Sequence, residues 1–177
     1  MPREAEINIG LTMGDPNGIG PEVLLRALEN MHPFQAWQPL IFGDSEILSS
    51  MNDVLGFSFS FETISEKSLV LPKKFQDSLC LPVIDLSVQE ARKWELGTCS
   101  VWGGESAFQF VHSAIDFANR KIIDAIVTAP LAKEALQSAG HLFPGHTEML
   151  SQFSNGKRSV MMLAVDDLRA TMVTLHV

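Results

Sequence analysis

Apolar and polar residues alternate along this chain in two distinct rhythms. Ile7, Ile9, Leu11 and Met13 are apolar at every second position, so INIGLTM predicts a strand. PEVLLRALENM follows with helical spacing, and Pro21 suits its first turn, where a missing N–H costs little. PLIFGD predicts a second strand, and DSEILSSM opens a helix behind a cap at Asp44 or Ser45. Residues 56–78 are weakly patterned; within them FSFSFETI reads as an antiparallel or edge strand, and CLPVIDL beyond them as a further strand. ESAFQFVHSAIDFANRK places Ala107, Val111, Ala114, Ile115 and Ala118 on one stripe, which predicts a helix. DAIVTAP predicts a buried strand stopped by proline, and LAKEALQSAG a short helix with Gly140 at its C-terminal cap. SVMMLAV, the pair Asp166–Asp167 and LRATMVTLHV predict two strands joined by a tight turn. Short strands alternating with amphipathic helices are the pattern of an α/β layer protein.

Composition narrows the function classes. Over 177 residues, 46% hydrophobic and 19% charged side chains are ordinary for a globular protein with a real core. The net charge is −8 and no run of cations is longer than a pair such as that in GKR at 156–158, which argues against nucleic acid as a partner. A small phosphorylated molecule remains compatible, because backbone N–H groups and a few cations suffice to bind one. MPREAEINIG lacks the apolar run of a secretory signal, and no stretch approaches the roughly 18 apolar residues of a membrane span, so the expected location is cytoplasmic. Cys80 and Cys99 have no CxxC spacing and read as reduced structural thiols. The sequence stops in what reads as mid-strand, with His176 penultimate, so a fragment is expected.

Four places carry candidate chemistry. TMGDPNGIGPE lies at a strand-to-helix junction, where glycines allow close backbone approach, helix N–H groups favour an anion, and Asp15 sits at a strand's carboxyl end. The competing reading is a glycine-rich turn with a structural role only. In TAPLAKEAL, Lys133 falls in the first turn of a helix, a position the helix dipole does not favour, so it either faces an anionic group or is simply solvated. FPGHTEML sets His146 and Thr147 behind a Pro-Gly turn; capping by Thr147 would explain that residue but not His146. His176 is a potential metal ligand, yet one histidine cannot make a site, and His32, His112 and His141 are dispersed.

Together these segments resemble the 4-hydroxythreonine-4-phosphate dehydrogenase family of pyridoxal phosphate biosynthesis. TMGDPNGIGPE is similar to its N-terminal signature, DAIVTAPLAKEAL through FPGHTEML to its central one, and VMMLA with LRATMVTLHV to the segment leading to its first metal ligand. The resemblance implies a three-layer α/β/α fold of the isocitrate/isopropylmalate dehydrogenase type, here truncated. Residues 1–130 would then form the N-terminal part of a first domain, and 131–177 the start of a second, substrate- and metal-binding one. It implies NAD- or NADP-linked oxidation of 4-phosphooxy-L-threonine to a 3-oxo acid that loses carbon dioxide. A divalent metal (zinc, magnesium or cobalt) would assist, in a homodimer. His146 and Thr147 match substrate-binding positions and His176 the first of three metal histidines; no catalytic residue is assigned. A sister activity on threonate or erythronate 4-phosphate, and a noncatalytic phosphate-binding fragment, are the alternatives. The family's remaining metal histidines and most of its cofactor site have no counterpart in these 177 residues, so the chain alone is expected to be inactive.

Overall fold

The computed structural model describes residues 7–32, 34, 37–66, 79–87, 94–155 and 159–172. Five parallel strands form one sheet: β1 (Ile7–Thr12), β2 (Trp37–Gly43), β3 (Ser60–Ile64), β4 (Cys80–Asp85) and β5 (Ala125–Thr128), in the order β3-β4-β2-β1-β5. The weakly patterned FSFSFETI segment thus supplies an edge strand, and its pairing is parallel rather than antiparallel. β2 is central and covered on both faces, so Leu40, Ile41 and Phe42 are all buried and its sequence reads as a continuous apolar run. DAIVT behaves differently from expectation. β5 is the other edge, alternate residues face solvent, and Val127 is 54% exposed.

Helices cover both faces. α1 (Gly20–Met31) turns Leu24, Leu25 and Leu28 inward and touches α2 (Ser45–Leu55). Asp44 is the cap of α2: its carboxylate accepts the Glu46 and Ile47 N–H groups, both at 3.0 Å. On the opposite face lies α3 (Val101–Asn119), where Phe117 meets Phe42 edge-on at 5.1 Å. α3 starts one turn before the apolar stripe predicted, because Ser100 caps it by accepting the Gly103 N–H at 2.9 Å. α4 (Lys133–Ser138) and α5 (His146–Phe153) pack on α3 around a second core cluster of Val111, Ile115, Leu136 and Met149. The result is the expected three-layer α/β/α architecture.

β6 (Met162–Val165) and β7 (Leu168–Thr171) form a separate antiparallel hairpin, turned at Asp166 with φ 48°. Every residue of both strands is exposed, Leu163 by 58% and Leu168 by 73%. The predicted continuation of β7 through His176, and the GKR run, lie outside the described residues.

Candidate functional site

Strand connectivity singles out one crevice. From β1 the chain passes through α1 to β2 on one side; from β4 it returns through α3 to β5 on the other side of β1. The carboxyl ends of β1 and β5 therefore flank the point where strand order reverses, the usual ligand position in open α/β sheets. Three of the four candidate segments meet there. The Ala129 N–H extends the ladder by donating to the Thr12 carbonyl at 3.1 Å, and the Asp15 N–H donates to the Pro130 carbonyl at 3.0 Å. Gly14 makes this approach possible. Its φ is 75°, and a Cβ there would overlap the Pro130 carbonyl oxygen.

The GDPNG loop spends most of its polar groups on the protein itself. Asn17 is 1% exposed: its amide donates to Ser100 Oγ at 2.8 Å and its side-chain oxygen accepts the Glu95 N–H at 3.2 Å. The Gly97 N–H donates to the Asn17 carbonyl, and the Trp94 indole to that of Pro16, each at 2.8 Å. This clasp to residues 94–100 accounts for Asn17 structurally, and Gly18 has ordinary contacts with no positive φ. Asp15 is the exception. Its carboxylate accepts the Asn17 N–H at 2.9 Å but is 3% exposed, and burial raises its pKa against the opposing pull of that hydrogen bond.

His146 is the first residue of α5, with Gly145 as the N-cap in extended conformation and no side-chain cap. Thr147 therefore lies inside the first turn, half-buried, and is not the cap. The His146 ring is half-buried; burial lowers its pKa, outweighing a hydrogen bond to the Ala129 backbone that favours the charged form. Neutral imidazole thus sits over the end of β5, and its Nε2 is enclosed without a partner among the described residues. Lys133 opens α4, exposed and without an ion-pair partner among the described residues. His176 lies outside the described residues, and among those described no three His, Cys, Asp or Glu side chains gather as a metal site.

Sequence reading passed over one pair near this crevice. His141 Nε2 lies 2.7 Å from Glu105 Oε2, and its ring stacks on Phe108 with centroids 3.6 Å apart and planes at 8°. The helical spacing of Glu105, Phe108 and Gln109 was a legible hint of a shared face, but its partner 36 residues away was not. On the other face of the sheet, an apolar groove of about 340 Å³ runs between α1 and β1–β5, lined by Leu11, Val23, Leu24, Ala27 and Val127. Its lining is mostly apolar, with Thr12 and Thr128 the only side-chain hydroxyls among the lining residues.

The family model described as "Pyridoxal phosphate biosynthetic protein PdxA" matches residues 35–177. A D-threonate 4-phosphate dehydrogenase of Cupriavidus necator is 36% identical over 170 residues, 96% of this chain and 49% of that protein. A 4-hydroxythreonine-4-phosphate dehydrogenase of Trichlorobacter lovleyi is 34% identical over 170 residues, 95% of this chain and 49% of that protein. A crystal structure of a 4-hydroxythreonine-4-phosphate dehydrogenase from Burkholderia phymatum superposes with TM-score 0.86 at 33% identity, covering 98% of this chain and 51% of that one. The chain spans about half the length of the curated relatives it matches. With the family model matching most of the chain, the chain belongs to the PdxA family.

Proposed function

We propose that this chain is the N-terminal portion of an NAD(P)-linked, metal-dependent dehydrogenase. It would oxidise 4-phosphooxy-L-threonine to a 3-oxo acid that decarboxylates, on the route to pyridoxine and pyridoxal phosphate. The observation that carries this reading is the convergence of three segments at the β1–β5 crevice around a neutral, half-buried His146 whose Nε2 has no partner among the described residues. In this reading His146 and Thr147 bind the substrate's polar groups. A neutral imidazole donates at one ring nitrogen and accepts at the other, so with one nitrogen bonded to the Ala129 backbone, Nε2 is an acceptor for a substrate hydroxyl. Because Nε2 is closed to solvent, substrate contact requires the ring to turn or its cover to move. Lys133 and the free N–H groups opening α5 supply positive potential for a phosphate.

His176 would be one ligand of a divalent metal (zinc, magnesium or cobalt). A bound metal would supply Lewis-acid polarisation of the alcohol, and a bound nicotinamide would supply the acceptor for its hydride. Residues 1–130 are assigned to a first domain and 131–177 to the start of a second. The whole enzyme is proposed to work as a cytoplasmic homodimer. A second reading, D-threonate 4-phosphate as the substrate, is supported by a relative of that name at 36% identity beside the 34% of a 4-hydroxythreonine-4-phosphate dehydrogenase.

Titration calorimetry of the 177-residue chain with each phosphorylated acid separates the readings. Binding of one acid, weakened about tenfold or more in His146→Ala, is expected for loss of one hydrogen bond to a charged ligand. Equal affinity of variant and parent would refute the role of His146. Substrate-dependent NAD reduction by this chain alone would overturn its expected inactivity.

A further inference from the structure

The loop that delivers His146 is held from α3. Gly140, with φ 91°, ends α4 in a Schellman arrangement: the Gly140 N–H donates to Gln137 at 2.9 Å and the His141 N–H to Leu136 at 3.1 Å. The Phe143 N–H then folds back onto the His141 carbonyl at 2.8 Å, and Pro144 stiffens the step into Gly145 and His146. Side-chain contacts on two sides fix where this loop lies. Its aromatic side is packed, with Phe143 against Phe153 at 5.7 Å and His141 flat on Phe108. Its polar side rests on a single carboxylate. Glu105 Oε2 takes the His141 ring at 2.7 Å, while Oε1 accepts the Gln109 amide at 2.8 Å.

We infer that Glu105 is a positioning residue for His146: through its bond to His141 it sets the direction in which the Pro-Gly turn presents the imidazole at the β1–β5 crevice. Both carboxylate oxygens are committed, so Glu105 has one orientation rather than several, and the His141 ring inherits it. Burial opposes the charge on Glu105, yet the hydrogen bonds from Gln109 and His141 outweigh it and keep its pKa below the usual carboxylate range. The side chains are 35% and 21% exposed, so the pair adds little to global stability, and the neighbouring phenylalanines already pack the loop's aromatic side. What the pair adds is direction. The supporting shell of a binding group governs affinity in this way without touching the ligand.

The inference rests on His146 being a substrate-binding residue, and its test reads the two separately. In the full 177-residue chain, Glu105→Ala is expected to shift and broaden the His146 imidazole resonances, while the thermal midpoint stays close to the parent's. Glu105→Gln keeps an oxygen that accepts the His141 N–H and should return the His146 signal most of the way. His141→Phe keeps the stack on Phe108 but not the bond, and should behave like the alanine variant. Affinity for D-threonate 4-phosphate or 4-phosphooxy-L-threonine should fall on the order of tenfold in Glu105→Ala and recover in Glu105→Gln. An unmoved His146 signal in Glu105→Ala, or equal displacement in the alanine and glutamine variants, overturns the inference. If the parent binds neither acid, the functional reading of His146 fails, and the resonances still decide whether Glu105 orients the ring.

Discussion

Asp15→Asn should stabilise this protein at neutral pH and do nothing at low pH. The carboxylate at 15 is 3% exposed and receives a hydrogen bond from the Asn17 N–H at 2.9 Å, with no cation paired to it among the described residues. Burial therefore raises its folded-state pKa above the reference value of 3.8. The direction of the linkage follows. Between the unfolded and the folded pKa the native state holds the proton more tightly, so stability falls as pH rises through that window and is flat above it. At pH 7 the native chain carries the full penalty, at about 1.4 kcal/mol for each unit of displacement. An asparagine keeps an oxygen for the Asn17 N–H and carries no charge to desolvate. A gain on the order of 1 kcal/mol at pH 7 is expected, or about 2–4 °C in the melting midpoint for a chain of this size. The assay is thermal or urea unfolding of parent and variant at pH 3 and pH 7, where the difference between the two proteins isolates this group from every other titration. A variant less stable than the parent at pH 7, or a difference independent of pH, would refute the reasoning. The expected result also marks Asp15 as a residue whose charge is retained against stability, which is how groups at ligand crevices behave.

Gly14→Ala should cost about 2 kcal/mol or more, because a side chain at φ 75° is strained and its Cβ would overlap the Pro130 carbonyl oxygen; an unchanged urea midpoint would disprove this. The β6–β7 hairpin exposes Leu163, Val165 and Leu168, and two strands alone are marginal in water, so the chain is expected to associate. Light scattering should give a mass above 19.5 kDa that falls when Leu163 and Leu168 are both changed to lysine; a monomer mass at high concentration would contradict it.

Periodicity in the sequence anticipated the elements but not their neighbours. INIGLTM and PLIFGD became β1 and β2 because their patterns are local properties of strands buried in a sheet. DAIVT carried the same signal yet lies at the edge, since position within a sheet is decided by chain connections and not by the five residues concerned. Thr147 reads as a cap because its hydroxyl suits that position; an extended Gly145 starts α5 two residues earlier and makes that cap unnecessary. Asn17 carried no sign that its amide would be consumed by Ser100 and Glu95, some eighty positions away. For the same reason His141 looked isolated until α3 brought Glu105 beneath it. Glycine and proline spacing located the crevice, while the charge balance within it depended on contacts that no local window contains.

The pairing of β1 with β5 also sets a timetable. Asn8 and Asp124 clip the two strands together through bonds of 2.8 Å in each direction, across 116 positions of chain. Closing so long a loop is repaid only once both ends are in hand, so this seam forms late and opens early. A ribosome must have delivered β5 before the crevice can exist at all. The imidazole at 146 then arrives at a surface that has only just been completed.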